Sequence, residues 1–257
     1  MSDPLVLSGS SLEGFFRCPK QWEIINIRGI RNPPNVKTTL GVSAHTAVEH
    51  NYRQKITSKV DEPLDVVLDV FSSTYDTAIY DVESPEEHAG KAKDSGIGLI
   101  KVHHSRVAPH VQPAMVEEPG QLTINGIAYS WVIDLVDDED IVRDLKTTMR
   151  SPDPNGHWVQ VVGYATAFRQ RTGRIEKGAV LDYLVRASAK KAADYVPVAW
   201  APFDSSTVNA FASQVRTAHD MMLAGHFPAT GVAQGRQGPC SWCGVRAWCP
   251  AGSKLRF

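Results

Sequence analysis

The chain has 257 residues, of which 42% are hydrophobic, and it carries 27 basic and 28 acidic side chains. A chain of this size can bury a substantial core. The net charge of −1 excludes attraction of nucleic acid through bulk positive charge, so any such binding needs a local basic patch. The sequence shows no run of 18 apolar residues and no signal peptide. We expect a cytoplasmic protein of a bacterial or phage-infected cell, with no membrane contact.

The first half of the chain has the residue spacing of helices. A short helix begins at Ser8 or Ser10, either of which can cap it, and ends before Pro19. A longer helix covers about 39–54. Two more helical patterns follow up to residue 110, with a polar break at 83–86. This part of the chain is therefore predicted to be mainly α-helical.

The pattern changes to β-strands from Met115 onward. Asn125-Gly126 tolerates the positive φ angles of a type I′ turn and predicts a hairpin, and a second hairpin follows across the acidic turn at 137–140. The predicted strands are 122–124, 127–129, 131–136, 141–147, 179–185 and 196–200, and the predicted helices are 157–169 and 205–223. This order predicts a mixed α/β (α+β) fold with a β-β-β-α-β core.

Reactive side chains concentrate in the second hairpin. Asp144 and Lys146 lie two residues apart on one strand, so their side chains project from the same face. Asp134 on the partner strand falls opposite Asp144 to within about one residue, where cross-strand neighbours are roughly 5 Å apart. Two carboxylates this close repel unless a cation lies between them, and oxygen ligands favour Mg²⁺ or Mn²⁺. A charged strand surface is the alternative, and the spacing alone leaves both interpretations open.

All four cysteines lie near the two ends of the chain. Cys18 stands alone, while Cys240, Cys243 and Cys249 form a C-x2-C-x5-C run. In a reducing cytosol such cysteines are more often metal or cluster ligands than disulfides. Structural zinc sites usually contain two close cysteine pairs, and Cys18 has no close partner in sequence. A four-thiolate site that joins the termini therefore favours an iron–sulfur cluster, with zinc as the alternative.

Five elements follow one another along the chain: Gly41-Val42-Ser43-Ala44-His45, Ile133-Asp134, Asp144-Leu145-Lys146-Thr147-Thr148, Gln160-Val161-Val162-Gly163-Tyr164 and the four cysteines. In this order they resemble the motifs of the PD-(D/E)xK nuclease superfamily, specifically its RecB-like exonuclease branch. The cysteine layout resembles the iron–sulfur subset of that branch, with its Cas4-like nucleases and the AddB nuclease domain. The resemblance runs from residue 8 to residue 250. It implies a restriction-endonuclease-like core, in which helices flank a central mixed β-sheet, with a helical N-terminal insertion.

The resemblance also implies a catalytic site. His45, Asp134 and Asp144 would be metal ligands, together with the backbone carbonyl of Leu145. Lys146 would position and activate the water that attacks the phosphodiester. The implied chemistry is metal-assisted hydrolysis with Mg²⁺ or Mn²⁺. The number of ions, one or two, remains open.

Contacts to DNA and a cofactor are implied as well. Gln160 and Tyr164, one helical turn apart on one face, would contact the DNA backbone. The ligands of a [4Fe-4S] cluster would be Cys18, Cys240, Cys243 and Cys249. Beyond the helix that carries Gln160 we predict a basic patch that contacts phosphates. The patch comprises Arg169, Arg171 and Arg174, with Arg186, Lys190 and Lys191.

We predict one nuclease domain over 1–257. Its helical part spans 39–110, its catalytic β-core spans 115–203, and the cluster ligands lie at 18 and 240–249. The predicted function is a metal-dependent DNA exonuclease that acts 5′→3′ on single-stranded ends, in recombination, repair or related processing. Such a protein would act as a homo-oligomer or with partner proteins. The alternatives are a catalytically idle DNA-binding scaffold and an iron–sulfur redox or sensor protein.

Other residues have a structural interpretation beside a functional one. Trp131 stands where the family often has glycine, and we expect it in the core rather than stacked on a base. Three histidines are expected to be solvated residues of a helix rather than a zinc site, and three glutamates are expected to be surface charges rather than ligands. The histidines are His103, His104 and His110, and the glutamates are Glu49, Glu117 and Glu118.

Overall fold

The computed structural model describes residues 5–31, 34–82, 86–150, 152–153, 155–232 and 238–255. Within these ranges it contains seven α-helices and a five-stranded sheet. The helices are α1 (Gly9–Arg17), α2 (Pro19–Asn26), α3 (Val36–Ser58), α4 (Leu64–Ile79), α5 (Glu86–Arg106), α6 (Trp158–Thr172) and α7 (Ser205–Leu223). The strands are β1 (Pro113–Ile124), β2 (Ile127–Asp137), β3 (Ile141–Thr148), β4 (Gly178–Val185) and β5 (Asp194–Trp200). Of the predicted polar break at 83–86, only Glu86 lies among the described residues.

The sheet is mixed, with the strand order β1-β2-β3-β4-β5. The first three strands are antiparallel to one another, β3 and β4 run parallel, and β5 is antiparallel to β4. A parallel pair requires a crossover connection, and α6 supplies it between β3 and β4. This topology confirms the predicted mixed α/β fold and its β-β-β-α-β core.

Two apolar cores cover the two faces of the sheet. On one face α1, α6 and α7 pack against the strands, and Phe15, Phe168 and Phe211 are almost completely buried there. On the other face α3, α4 and α5 pack around residues such as Leu40 and Phe71. Burial of each such side chain contributes about 1.5–3 kcal/mol. None of the described helices has both the length and the apolar content needed to cross a membrane.

The start of the chain folds into two helices rather than the one predicted. Ser8 caps α1, because its side chain accepts a hydrogen bond from the Ser11 amide at 3.3 Å. The helix ends before Pro19, but Pro19 itself begins α2. Proline is favoured at the first helical position because its missing N–H would have no partner there, so a proline can mark a new start as well as an end. Cys18 therefore lies at the junction of two helices.

The first hairpin has the predicted turn but a longer first strand. Asn125 and Gly126 have φ angles of 51° and 80°, the positive values of a type I′ turn. β1 begins well before the predicted residue 122. The prediction missed its first part because Pro119 and Gly120 interrupt the residue pattern typical of a strand. Gly120 faces Trp131, whose ring would lie 2.2 Å from a Cβ atom at that position. Trp131 is 6% exposed, which confirms that it packs in the core.

His103 is buried, so the expectation of a solvated histidine was wrong for this residue. Its Nε2 atom and the Tyr52 hydroxyl are 3.2 Å apart and share a hydrogen bond. Burial lowers the pKa of His103 to about 3, so the ring is neutral. His104 lies 2.7 Å from the backbone carbonyl of Glu62, and His110 is exposed. In the described part of the chain these histidines form no group with metal-ligand spacing.

Candidate active site

The central strands β2 and β3 are paired over a short stretch only. Leu135–Val136 pairs with Val142–Arg143, and the ladder ends there. One step further along the same register, Asp134 stands opposite Asp144. The two carboxylates therefore lie where the sheet begins to open, between helices on both of its faces.

Asp134 is held by groups from three different elements. The Leu145 amide donates to its Oδ2 atom at 3.3 Å, and the Tyr164 hydroxyl donates to Oδ1 at 3.5 Å. The His45 Nδ1 atom is 3.5 Å from Oδ2. Burial raises the pKa of Asp134 to about 6, although the charge of Lys146 and these hydrogen bonds act in the opposite direction. Asp134 is therefore mostly ionised at pH 7 but becomes protonated at a higher pH than an exposed aspartate does.

Asp144 is more deeply buried, with 2% of its surface exposed. The Lys146 ammonium lies 2.6 Å from its Oδ2 atom, while Oδ1 has no hydrogen-bond partner among the described residues. Burial, followed by the charge of Asp134, raises the pKa of Asp144 to about 7. Burial alone would lower the pKa of Lys146, but the two carboxylates together raise it, so the lysine keeps its proton.

His45 reaches this cluster from α3. The side chain of Asn35 caps the start of that helix, and Gly41 lets it approach β3 closely, since a Cβ atom at Gly41 would lie 3.4 Å from Thr147 Oγ1. His45 follows one helical turn later. Burial lowers the pKa of His45, an effect that the charge of Asp144 only partly offsets. The imidazole is therefore neutral at physiological pH, which is the form that binds metal ions.

Glu117 also belongs to the site, although we expected it to be a surface charge. Continuing the β1–β2 register places Glu117 opposite Asp134. Ligand atoms of His45, Glu117 and Asp134 all lie within 4.8 Å of one another, the one such group in the described chain. Glu117 has a φ of 49°, which costs a non-glycine residue of order 1–3 kcal/mol and is typical of functional sites. The Asn125-Gly126 hairpin sets this register, so the sequence contained a signal that we did not use.

Glu49, one helical turn after His45, has a different partner. Its carboxylate lies 2.6 Å from the Arg53 guanidinium, within α3. It lines a small cavity of about 30 Å³ with His45, Glu117 and Asp134. Such a cavity has room for about one water molecule. The structure therefore places Glu49 at the edge of the site, in an ion pair of its own.

Gln160 and Tyr164 lie beside the acidic residues, on α6. Gln160 Nε2 donates to the Tyr164 hydroxyl at 2.8 Å, and that hydroxyl in turn donates to Asp134. Burial raises the pKa of Tyr164, so the hydroxyl remains a donor. The two side chains line a groove of about 300 Å³ together with Ser8 and Trp131. This groove leads to the carboxylates from the α1–α6 face of the sheet.

Glu13 on α1 holds the first turn of α6. Its carboxylate lies 3.1 Å from His157 Nδ1 and accepts a hydrogen bond from the Gln160 amide at 3.4 Å. His157 has a φ of 58° and provides no side-chain cap for the helix. A carboxylate from a distant helix therefore satisfies this helix start, where negative charge is favourable. We missed Glu13 because no local pattern signals a contact between residues so far apart in sequence.

Three arginines of the predicted basic patch are paired with carboxylates of the chain itself. The pairs are Arg169 with Glu176, Arg171 with Glu118 and Arg174 with Asp140, at 2.6, 3.1 and 3.1 Å. Asp140 lies four residues before Asp144, which is about 13 Å along a strand. Arg174 is therefore far from the carboxylates of the site. DNA contact by these arginines stays a prediction, and their charges are already balanced within the chain.

The two ends of the chain meet at the cysteines. The segment 238–255 packs against α2, where Ile24 and Val245 share a small apolar cluster with Cys249. The Arg17 guanidinium lies over the Trp242 ring, 5.6 Å from its centroid. These contacts bring the three C-terminal cysteines close to the junction of α1 and α2, where Cys18 lies.

The four thiols interact through their charges. Burial raises the pKa of Cys240, and Cys18, Cys243 and Cys249 raise it further. None of them forms a disulfide. Burial likewise raises the pKa of Cys243. Among the described residues, no three of the sulfur atoms all lie within 4.8 Å of one another.

A mixed sheet with a crossover helix, and carboxylates beside a lysine where its central strands part, define a class of α/β phosphodiester-cleaving enzyme. The sequence model of the PD-(D/E)XK nuclease superfamily matches residues 6–250. The chain therefore belongs to this superfamily, and it is a nuclease by family.

The chain was compared with solved structures. A candidate exonuclease from Eubacterium rectale aligns with a TM-score of 0.52 at 9% sequence identity, over 85% of this chain and 79% of that chain. The protein SSO0001 aligns with a TM-score of 0.38 at 17% identity, over 96% of both chains. The first of these supports the restriction-endonuclease-like fold. No curated protein sequence matches the chain significantly.

Proposed function

We propose that this nuclease is a divalent-metal-dependent DNA exonuclease that degrades single strands from an end. The observation that carries the proposal is the buried Asp144 carboxylate, with one oxygen that lacks a hydrogen bond in the described structure, beside the ammonium of Lys146. A buried charge in this state is costly and is expected where it serves a ligand. The likeness to a candidate exonuclease supports action from an end.

The donors around this carboxylate fit Mg²⁺ or Mn²⁺. Asp134 and Asp144 offer hard oxygen atoms, the Leu145 carbonyl offers another, and His45 offers a neutral nitrogen. Glu117 adds a third carboxylate within reach of His45 and Asp134. A bound divalent ion would lower the pKa of a water molecule and neutralise charge on the scissile phosphate. Three carboxylates against one lysine leave an excess of negative charge that such an ion balances.

Lys146 has an electrostatic role in this proposal. The two carboxylates keep it protonated, and Asp144 fixes its ammonium at 2.6 Å. The ammonium orients the attacking water and stabilises the negative charge that develops on the phosphate. Gln160 and Tyr164 line the adjoining groove and present hydrogen-bond donors to the DNA backbone.

We also propose that Cys18, Cys240, Cys243 and Cys249 hold a [4Fe-4S] cluster with a structural role. A link between residues 18 and 240 closes most of the chain, and by analogy with a disulfide such a closure is worth about 5 kcal/mol. The family resemblance favours 5′→3′ polarity and a role in recombination, repair or related processing.

The nuclease proposal is tested with end-labelled single-stranded DNA in the presence of Mg²⁺ or Mn²⁺. We expect the wild-type protein to release short products, and we expect Asp144→Ala and Lys146→Ala each to reduce the rate by about a thousandfold. Substrates blocked at the 5′ or the 3′ end determine the polarity.

Matched controls remove exposed charges outside the site. Asp138→Ala removes an exposed carboxylate from the β2–β3 turn, and Lys101→Ala removes an exposed lysine from α5, so both should keep full activity. Undiminished degradation by both Asp144→Ala and Lys146→Ala would refute the site.

The cluster proposal is tested by anaerobic purification. We expect a brown protein that contains four iron atoms per chain, and we expect Cys18→Ala to lose iron and to unfold at lower temperature. A colourless protein with stoichiometric zinc, or a stable and active Cys18→Ala protein without iron, would contradict the proposal.

A further inference from the structure

A basic cavity lies beyond the end of β3, outside the site described above. Its volume is about 650 Å³, within the usual range of ligand sites. The loop after β3 and the segments where β4 ends and β5 begins form its walls. Three cationic side chains line it, Arg150, Arg186 and Lys191.

Arg186 is the unusual member of the three. The residue is half-buried, and its Nε atom is buried without a hydrogen-bond partner in the described structure. Its backbone amide donates to the Thr148 carbonyl at 2.9 Å, which ties it to the end of β3. A buried donor without an acceptor costs about 1–3 kcal/mol. An acceptor from a bound molecule, water or ligand, would remove this cost.

The charge of the cavity is not balanced by the protein. Among the described residues, no carboxylate forms an ion pair with Arg150, Arg186 or Lys191. Asp194 also lines the cavity, where it pairs with Arg106 and also interacts electrostatically with Lys191, so one carboxylate stands against three cations of the cavity. By contrast, Arg169, Arg171 and Arg174 all have carboxylate partners. An excess of positive charge therefore faces the cavity and favours an anion.

The cavity lies at the same end of the sheet as the catalytic lysine. In the parallel pair, Lys146 stands beside Tyr183 and Thr148 stands beside Val185. Arg186 is three residues beyond Tyr183, which corresponds to about 10 Å along the strand. A DNA strand whose scissile phosphate lies at Lys146 can therefore bring a neighbouring phosphate to this cavity.

We propose that the cavity is a phosphate subsite, in which Arg150, Arg186 and Lys191 bind a phosphate of the DNA strand that is being degraded. Guanidinium groups suit phosphate because they present paired N–H donors to its oxygens. The inference rests on the proposed function and adds the direction in which the strand leaves the carboxylates. The phosphate is either an internal phosphodiester or the terminal phosphate of the strand.

Binding of a fluorescent single-stranded oligonucleotide, measured by anisotropy in EDTA at several salt concentrations, tests the subsite without cleavage. We expect Arg150→Ala, Arg186→Gln and Lys191→Ala each to weaken binding about tenfold and to lower the salt slope by about 1. The matched control is Lys101→Ala, an exposed lysine of α5 that does not line the cavity.

Wild-type affinity and salt slope in the three variants would overturn the subsite, and so would an equal loss in the Lys101→Ala protein. Arg150 and Lys191 are exposed, so their variants carry the test if Arg186→Gln fails to fold. Oligonucleotides with a 5′-phosphate or a 5′-hydroxyl distinguish the two sources. If the variants lose affinity only for the 5′-phosphorylated oligonucleotide, the site binds the terminal phosphate of the strand. If they lose affinity equally for both oligonucleotides, the site binds an internal phosphodiester.

The subsite and the proposed function fail in different ways. A wild-type protein that binds DNA through these residues but never degrades it would reject the nuclease function alone. A wild-type protein that degrades DNA, and whose three variants bind it normally, would reject the subsite alone.

Discussion

Arg143 and Asp144 are neighbours on β3, yet they belong to two charged clusters of opposite character. Side chains of adjacent strand residues point to opposite faces of a sheet, so the clusters share a backbone but not their contacts. In the Arg143 cluster, Asp182 accepts hydrogen bonds on both oxygens, from the guanidinium at 3.0 and 2.8 Å and from the Tyr195 hydroxyl at 2.7 Å. In the Asp144 cluster, one oxygen lacks a donor in the described structure.

The difference extends to the protonation of the groups. Burial alone would lower the pKa of Arg143, but Asp182 raises it well above its usual value, so this pair stays charged. Burial raises the pKa values of Asp134 and Asp144 to about 6 and about 7. A buried cluster with satisfied hydrogen bonds stabilises the fold. A buried cluster with unpaired oxygens and raised pKa values is instead prepared for a ligand.

The largest effect should come from breaking the satisfied cluster. Arg143→Ala leaves Asp182 buried without its cation, and we expect it to reduce the free energy of unfolding by about 3–5 kcal/mol. Asp144→Asn on the same strand should abolish nuclease activity and cost much less stability. Urea denaturation of both variants provides the measurement, and equal losses of stability would erase the distinction between the two clusters.

A smaller effect involves His103, which packs near the Arg143 cluster. Its pKa is about 3 in the folded protein, against the ordinary histidine value of 6.5 in the unfolded chain, so below pH 6.5 the unfolded chain binds a proton that the folded protein does not. The contribution of His103 to the free energy of unfolding is therefore complete above pH 6.5 and decreases as the pH falls. Between about pH 7.5 and 5 we expect the wild type to lose about 2 kcal/mol more than His103→Gln.

Comparison of the wild type with His103→Gln isolates the contribution of this histidine to the pH dependence of stability. Asp134 and Asp144 have raised pKa values, so they add stability as the pH falls, but they do so in both proteins. Urea denaturation in EDTA at the two pH values is the measurement. The same pH dependence in wild type and variant would show that His103 is protonated in the fold.

The smallest effect concerns the start of α6. Glu13→Ala removes the carboxylate that satisfies this helix start, and we expect a loss of about 1 kcal/mol together with slower DNA degradation. Asp204→Ala removes the N-cap of α7, whose side chain accepts from the Thr207 amide, and it should cost similar stability without loss of activity. Equal activities of the two variants would assign Glu13 a purely structural role.

Much of the fold could be predicted because its signals are local. The Asn125-Gly126 turn, the alternation along β2 and the helical spacing before Gly225 each involve a few adjacent residues, and the structure contains the corresponding elements. Where the local signal was ambiguous, the prediction failed. Pro19 was interpreted only as the end of a helix, and Pro119 with Gly120 hid the first part of β1.

The candidate site could be predicted in part for the same reason. The spacing of Asp144 and Lys146, and the hairpin that sets Asp134 opposite them, follow from strand periodicity. Glu117 follows from the register of the first hairpin, but a positive φ in mid-strand could not be expected from its residue type. Glu13 could not be found, because its contact with α6 depends on how two distant helices pack.

By itself, the sequence determined the class of fold, the place of the acidic residues beside a lysine, and the cysteines at both ends, since turn chemistry and strand period act over a few residues. Only the tertiary structure decided which charges are balanced. It pairs Arg169 with Glu176 and leaves Arg186 without an acceptor in the described chain. The physical reason is that burial and pairing of a charge depend on groups that meet only when distant segments pack together.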